Sequence, residues 1–280
     1  MTENSDEGVF WSGPAGAKWI EHESEQDHFL SAVAAAVIDA AGLAPDQRVL
    51  DIGCGTGAVS LLSASAVGAN GHVLATDIAP PFIARVKERA RHLPQVSAKV
   101  ADAQSADWPE MPFDVALSRF GVMFFGDPSA AFANIARALQ PGGRMVFAAW
   151  GRTSDNPYWH IPRTLVDQMI APQPQPAANA PGPMGLADAD WAVGQLRAGG
   201  LVDVSAETRE IPLLHEGGAD GAADLSLRIG PAVRPLAQAE ASDDQIATLK
   251  AEIKRAFEPF EVKGLARIPA TIHLFTARRA

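Results

Sequence analysis

The chain has 280 residues, and 47 % of them are hydrophobic, enough to bury the core of one large α/β domain. Its formal net charge is −10, from 23 Lys and Arg against 33 Asp and Glu, and no segment concentrates basic residues, which argues against nucleic acid or an anionic membrane as partner. A single cysteine, Cys54, leaves no intrachain disulfide and no cysteine-based metal cluster. The acidic start MTENSDEG is wrong for a signal peptide, and no apolar run approaches the ~20 residues of a membrane span. The expectation is a soluble cytoplasmic protein without membrane insertion.

Residues 1–28 are polar yet carry Phe10, Trp11 and Trp19, so they read as a flap folded onto something apolar. FLSAVAAAVIDAAGL (29–43) is helical, with Gly42 as its C-cap. RVLDI (48–52) is a buried strand, GAVSLLSASAV (57–67) a helix and HVLATD (72–77) a second strand. PPFIARVKERARH (80–92) is a helix opened by proline, its basic residues forming a solvated face. SAKVAD (97–102) and FDVALSRF (113–120) are strands three and four. PSAAFANIARAL (128–139) is a helix stopped by Pro141-Gly142-Gly143, and RMVFAAW (144–150) is strand five. This alternation implies βαβ units, a parallel sheet and helices on both faces.

After Trp150 the texture changes. APQPQPAANAPGPMG (171–185) reads as an extended connection. DADWAVGQLRAGGL (188–201) is a helix, VDVSAETREI (202–211) a strand, residues 216–263 two helical stretches, and IPATIHLFTARR (268–279) a closing strand. The whole reads as a single domain, 1–280. It divides into a helical flap (1–43), a cofactor-binding core (44–150), a substrate-side lid from 151–200 and 216–263, and a final strand (264–280).

The chemistry centres on QRVLDIGCGTGA (47–58). A strand that ends in glycines and opens a helix is a nucleotide-binding turn: glycine admits positive φ, and free N–H groups face the ligand. Asp77, at the end of the second strand, is placed to accept ribose hydroxyls, or to hold the start of the next helix. Gly53-Cys54-Gly55-Thr56-Gly57-Ala58 fits the dinucleotide pattern G-x-G-x-x-A, and also G-x-G-x-G with an acid two residues earlier. Asp51 favours the second form. A carboxylate there suits a cofactor with an ammonium and a sulfonium, and repels a pyrophosphate.

That second form resembles the class I S-adenosylmethionine (SAM)-dependent methyltransferases. Val100-Ala101-Asp102-Ala103, Ser118-Arg119-Phe120-Gly121-Val122-Met123-Phe124-Phe125 and Leu139-Gln140-Pro141-Gly142-Gly143 extend the resemblance over roughly residues 45–150. FWSGPAGAKWIEHESEQDHF, SRFGVMFF and N-P-Y-W (156–159) resemble the ubiquinone/menaquinone-biosynthesis-like branch (methyltransferase type 11/25), whose members methylate small molecules. The resemblance implies a doubly wound, mostly parallel seven-stranded Rossmann-like sheet with its last strand antiparallel. It also implies SAM as cofactor and S-adenosylhomocysteine as product. On that basis the cofactor-binding residues expected are Trp11, Trp19, Asp51, Gly53, Cys54, Gly55, Gly57, Asp77, Ile78, Asp102, Ala103, Gln104, Ser118 and Arg119. Met123, Phe124, Tyr158 and Trp159 are expected in the substrate pocket, whose roof is drawn from 1–28 and 155–190 with Trp191.

Arg119 reads equally as an anion-binding group or as the partner of Asp127 or another acid. Cys54 reads as a small buried filler. His22, His28 and His160 are the candidate bases, and an acceptor already lacking its proton needs none. No metal-ligand spacing occurs, so no metal is expected. The expected function is in-line methyl transfer to a small molecule, aromatic or lipid-like given the tryptophans. A NAD-dependent oxidoreductase and a non-catalytic SAM-binding regulatory protein stay open, as do the methylated atom and a homodimer. The oxidoreductase lacks its Tyr-Lys pair, since the one tyrosine, Tyr158, has no lysine four residues on.

Overall fold

Helices make up the described N-terminal segment. In the computed structural model they are α1 (Ser5–Ser12), α2 (Pro14–Glu21), α3 (Glu23–Phe29) and α4 (Ser31–Ala41). The structure describes residues 4–108, 111–172, 174 and 177–280; residues 173, 175 and 176 of the expected extended connection lie outside them. Strand and helix then alternate: β1 (Arg48–Ile52), α5 (Ala58–Val67), β2 (His72–Asp77), α6 (Pro80–Arg89), β3 (Val96–Val100), β4 (Phe113–Arg119), α7 (Pro128–Ala138) and β5 (Leu139–Trp150). The second half adds α8 (Pro157–Met169), α9 (Ala189–Ala198), β6 (Leu201–His215), α10 (Gly218–Arg228), α11 (Val233–Gln238), α12 (Asp243–Phe257), β7 (Glu261–Val262) and β8 (Leu265–Arg279).

The sheet order is β3-β2-β1-β4-β5-β8-β6, with β7 paired on β8. Strands β1 to β5 are parallel, and β8 lies antiparallel between β5 and β6. The seven expected strands are therefore present with the last one reversed, and the two-residue β7 is an addition. β5 begins earlier than expected: Leu139 already pairs with Phe113, and a register shift absorbs the Pro-Gly-Gly turn before Arg144 meets Val115. Gly142 sits there at φ +75.

Alternation along β5 shows both faces covered. Arg144 reaches the carbonyls of Ala41 and Gly42 at the end of α4, while Phe147, three residues on, stacks between Phe132 of α7 and Phe275 of β8. Strand order reverses between β1 and β4, so the carboxyl ends of these two strands open a crevice where ligands of such sheets bind.

The expected solvated face of α6 is corrected. Arg85 donates to Glu23 and Arg89 donates to Asp27, so these arginines dock α3 of the flap. Glu23 is held below the usual carboxylate range, chiefly by the Arg85 hydrogen bond.

Asn156 precedes α8 and is fully buried. Its Nδ2 donates to the carbonyls of Arg152 and Thr271, and its Oδ1 accepts from Thr271 N. Asn156→Ala removes three hydrogen bonds and leaves Thr271 N without its acceptor, since the Arg152 and Thr271 carbonyls keep Asp155 N and Gly151 N, and a loss of roughly 1–3 kcal/mol is expected. Denaturant unfolding measures it, with an unchanged midpoint as the contrary result.

Candidate active site

The crevice opens into a cavity of about 530 Å³. Its floor is the strand ends: Ile52 closing β1 with Gly53 after it, Asp77 closing β2, Arg119 closing β4 with Phe120 after it, and Trp150 closing β5. Its roof comes from α1 to α3, α8 and the segment from Arg228 to Gln238.

The glycine turn is built by close backbone approach. Gly53 has φ +61, and a Cβ there would lie 2.6 Å from Gly121 Cα. Ser118 pins the two segments together: its Oγ donates to Ile52 O at 2.7 Å and accepts from Gly121 N at 3.0 Å. Gly55, at φ +54, faces the cavity beneath the Trp19 indole, 3.9 Å from where its Cβ would be. Phe120 takes φ +69, costly for a bulky residue, and stacks on Trp150 with centroids 4.2 Å apart.

The carboxylates divide their work. Asp77 accepts from Gly55 N and from Ala79 N, each at 2.9 Å, so it braces both the turn and the entry to α6 while still lining the cavity. Asp51 lies beneath the turn, 1 % exposed, with Oδ2 accepting from Ser60 Oγ. Burial pushes Asp51 and Asp77 up to about 6 each. Asp102 Oδ1 accepts from Asn4 Nδ2 at 2.9 Å and from Gln104 N at 3.0 Å. Three enclosed atoms here have no partner: Asp51 Oδ1, Asp102 Oδ2 and Arg119 Nη1.

Of the expected cofactor residues, Trp11, Trp19, Gly53, Gly55, Asp77, Ile78, Asp102, Ala103 and Arg119 line the cavity. Asp51, Cys54, Gly57, Gln104 and Ser118 stand behind it. Cys54 packs with Ala75, Ile83 and Val86, and burial pushes its thiol up. Gly57, at φ +92, abuts Val86. Gln104 Oε1 accepts from Asn4 Nδ2 and Asp127 N. Arg119 pairs loosely with Asp27, at 3.8 Å, while Asp127 caps α7 through Ala130 N. Met123, Phe124, Tyr158 and Trp159 line the cavity; Trp191 does not.

The candidate bases are not brought in. His22 packs on Arg228, His28 faces Glu216 at 3.9 Å, and His160 is exposed. Among the described residues no group of His, Cys, Asp and Glu is placed to hold a metal, and no helix is long and apolar enough to cross a membrane.

Sequence reasoning missed Asn4, Gln26, Arg163 and Arg228, which also line the cavity. Each sits in a segment without a motif, and only the placement of the flap and lid over the core could have pointed to them. Asn4 ties the flap to the Asp102 loop and accepts from Gly126 N at 2.8 Å. Asn4→Ala removes three hydrogen bonds between flap and core and is expected to weaken cofactor binding about fivefold. Unchanged affinity in a calorimetric titration would contradict this role.

A family profile described as a methyltransferase domain matches residues 49–143, from β1 to the turn within β5. Over those residues the chain is similar to the methyltransferase domains that the sequence motifs resemble. Aklanonic acid methyltransferase DauC from Streptomyces sp. strain C5 is 35 % identical over 43 % of this chain and 56 % of its own length. Nocamycin O-methyltransferase from Saccharothrix syringae is 30 % identical over 71 % of this chain and 64 % of its own. The chain thus matches less than two thirds of either relative. Among solved structures, YcgJ of Bacillus subtilis gives a TM-score of 0.55 at 16 % identity, covering 88 % of this chain and 97 % of that one. The [4+2]-cyclase SpnF gives 0.52 at 20 % identity, covering 88 % and 79 %. Likeness at this level concerns the fold, and the cyclase shows that the fold alone does not fix the reaction.

SAM is the cofactor of a class I methyltransferase domain, and the residues present fit it. The bare glycines admit its backbone approach, Asp102 Oδ2 is free to accept from an amine, and Arg119 Nη1 is free to donate to a carboxylate.

Proposed function

We propose that the protein transfers a methyl group from SAM to a small-molecule acceptor, aromatic or lipid-like, within this cavity. The observation that carries the reading is one continuous space with unpartnered polar atoms at its glycine end and aromatic walls at the other. When bound, SAM supplies the electrophilic methyl group on a sulfonium that is already a good leaving group. The residues supply position. Each Asp77 oxygen, already bonded to one amide, keeps a lone pair for a ribose hydroxyl. Asp102 Oδ2 takes the adenine amine, and Arg119 takes the cofactor's carboxylate. Asp51 and Asp77 place negative charge beneath the cofactor's cationic end.

Phe120, Trp150, Tyr158 and Trp159 offer flat apolar walls to the acceptor. The flap (1–43) and the lid (151–200 and 216–263) exclude water, and holding reactants in line supplies ~7–11 kcal/mol of barrier reduction. The two relatives named for aklanonic acid and nocamycin support a bulky organic acceptor over a small zwitterion. A panel assay with labelled SAM tests this. Methylation of polycyclic or aromatic compounds is expected; turnover confined to sarcosine or phosphoethanolamine would overturn it. Tight cofactor binding without turnover of any compound would leave a binding protein instead.

A further inference from the structure

The half of the cavity away from the glycine turn is rich in hydrogen-bond donors and holds no carboxylate. Trp159 Nε1 and Arg228 Nε are enclosed and have no partner, and both side chains line the cavity. The Tyr158 hydroxyl is part of the same wall: a Cβ on Gly230, another lining residue, would come within 2.7 Å of it. The acids of the lining belong to the other end. Asp77 and Asp102 follow β2 and β3, and Glu7 on α1 accepts from Trp11 Nε1 at 3.1 Å.

The guanidinium of Arg228 is fixed from behind. Its Nη2 lies 2.6 Å from Asp224 and 3.3 Å from Glu25, and its Nη1 lies 2.8 Å from His22 Nδ1. None of these three residues lines the cavity. The terminal nitrogens are thus engaged away from the ligand space while Nε stays free. An enclosed donor without a partner is unfavourable until something accepts from it. Donors grouped without a carboxylate in the lining select a ligand that presents oxygen acceptors, and a carboxylate is the strongest such acceptor for a guanidinium N–H.

We propose that the acceptor enters as an oxyanion on a flat aromatic body, an aromatic carboxylate, and that Arg228 with Trp159 reads that group. This deepens the methyl-transfer reading and rests on it for the ligand's role.

The test is calorimetric titration of the full chain, saturated with S-adenosylhomocysteine, with 2-naphthoate and with its neutral counterpart 2-naphthamide. The wild type is expected to bind naphthoate at least tenfold more tightly. Arg228→Met should reduce that preference to about twofold or less, and Arg228→Lys should restore part of it, with S-adenosylhomocysteine affinity unchanged in both. Trp159→Phe, which keeps an aromatic face and removes the donor, should weaken naphthoate several-fold. Equal binding of the two probes by the wild type overturns the proposal while leaving methyl transfer standing, and it decides the matter even where Arg228→Met does not fold. A preference that survives in folded Arg228→Met also overturns it. Failure of S-adenosylhomocysteine itself to bind removes both readings.

Discussion

Gly53→Ala is expected to abolish cofactor binding, with affinity for S-adenosylhomocysteine falling by a hundredfold or more. Two effects combine. An Ala at φ +61 costs roughly 1–2 kcal/mol in backbone strain alone. Its Cβ would also stand 2.6 Å from Gly121 Cα, where backbone meets backbone and no side chain can rotate away. The strands β1 and β4 must then part at their carboxyl ends, which is where the ligand space begins. Gly42→Ala is the matched control. Gly42 has φ +53 but nothing within 4 Å of an added Cβ. It should lose about 1 kcal/mol of stability by the same strain and keep full affinity. If both variants bind alike, the tight approach of Gly53 to Gly121 does not shape the cofactor site.

The second large effect is on pH. Asp51 and Asp77 are both pushed up to about 6 by burial. A carboxyl whose folded pKa is raised favours the folded state below its unfolded pKa, and that contribution is lost as pH rises from about 4 through 6. The unliganded protein should therefore lose stability over that window, by up to about 3 kcal/mol per group, and level off above it. Ligand binding has the opposite sign. Ribose hydroxyls and a cationic ammonium prefer the ionised carboxylates, so SAM affinity should fall about tenfold per group between pH 7 and pH 5. Near pH 6 binding should release protons, seen as a dependence of the calorimetric heat on buffer ionisation enthalpy. Proton uptake, or an affinity flat from pH 5 to 8, would contradict this.

The core was readable in the sequence because it is local. The alternation of RVLDI, HVLATD, FDVALSRF and RMVFAAW with helical segments fixes a parallel sheet, and Gly53, Asp77 and Asp102 fall at strand ends in the order the fold uses them. The roof was legible only in outline. The apolar residues of the flap showed that it must cover something, but Asn4 and Arg228 meet the cavity through contacts with residues far along the chain, such as Asp102 and Glu25. No spacing rule encodes such contacts. The same holds for Arg85 and Arg89: at helical spacing they look like a solvated stripe, and only the docking of α3 gives them Glu23 and Asp27. His22, His28 and His160 lie in the right segments, yet side-chain direction, set by packing, turns them away from the cavity.

SAM is proposed to lie on the glycine turn, in the cavity above it. The most direct test is a calorimetric titration of the wild-type chain at pH 7.5 with SAM, S-adenosylhomocysteine and NADH, repeated on Asp77→Ala. The first two should bind and the third should not. Asp77→Ala should weaken them by about 1–3 kcal/mol, the worth of a charge-assisted hydrogen bond together with the brace on Gly55 N. Binding of NADH with no binding of SAM or S-adenosylhomocysteine would contradict it.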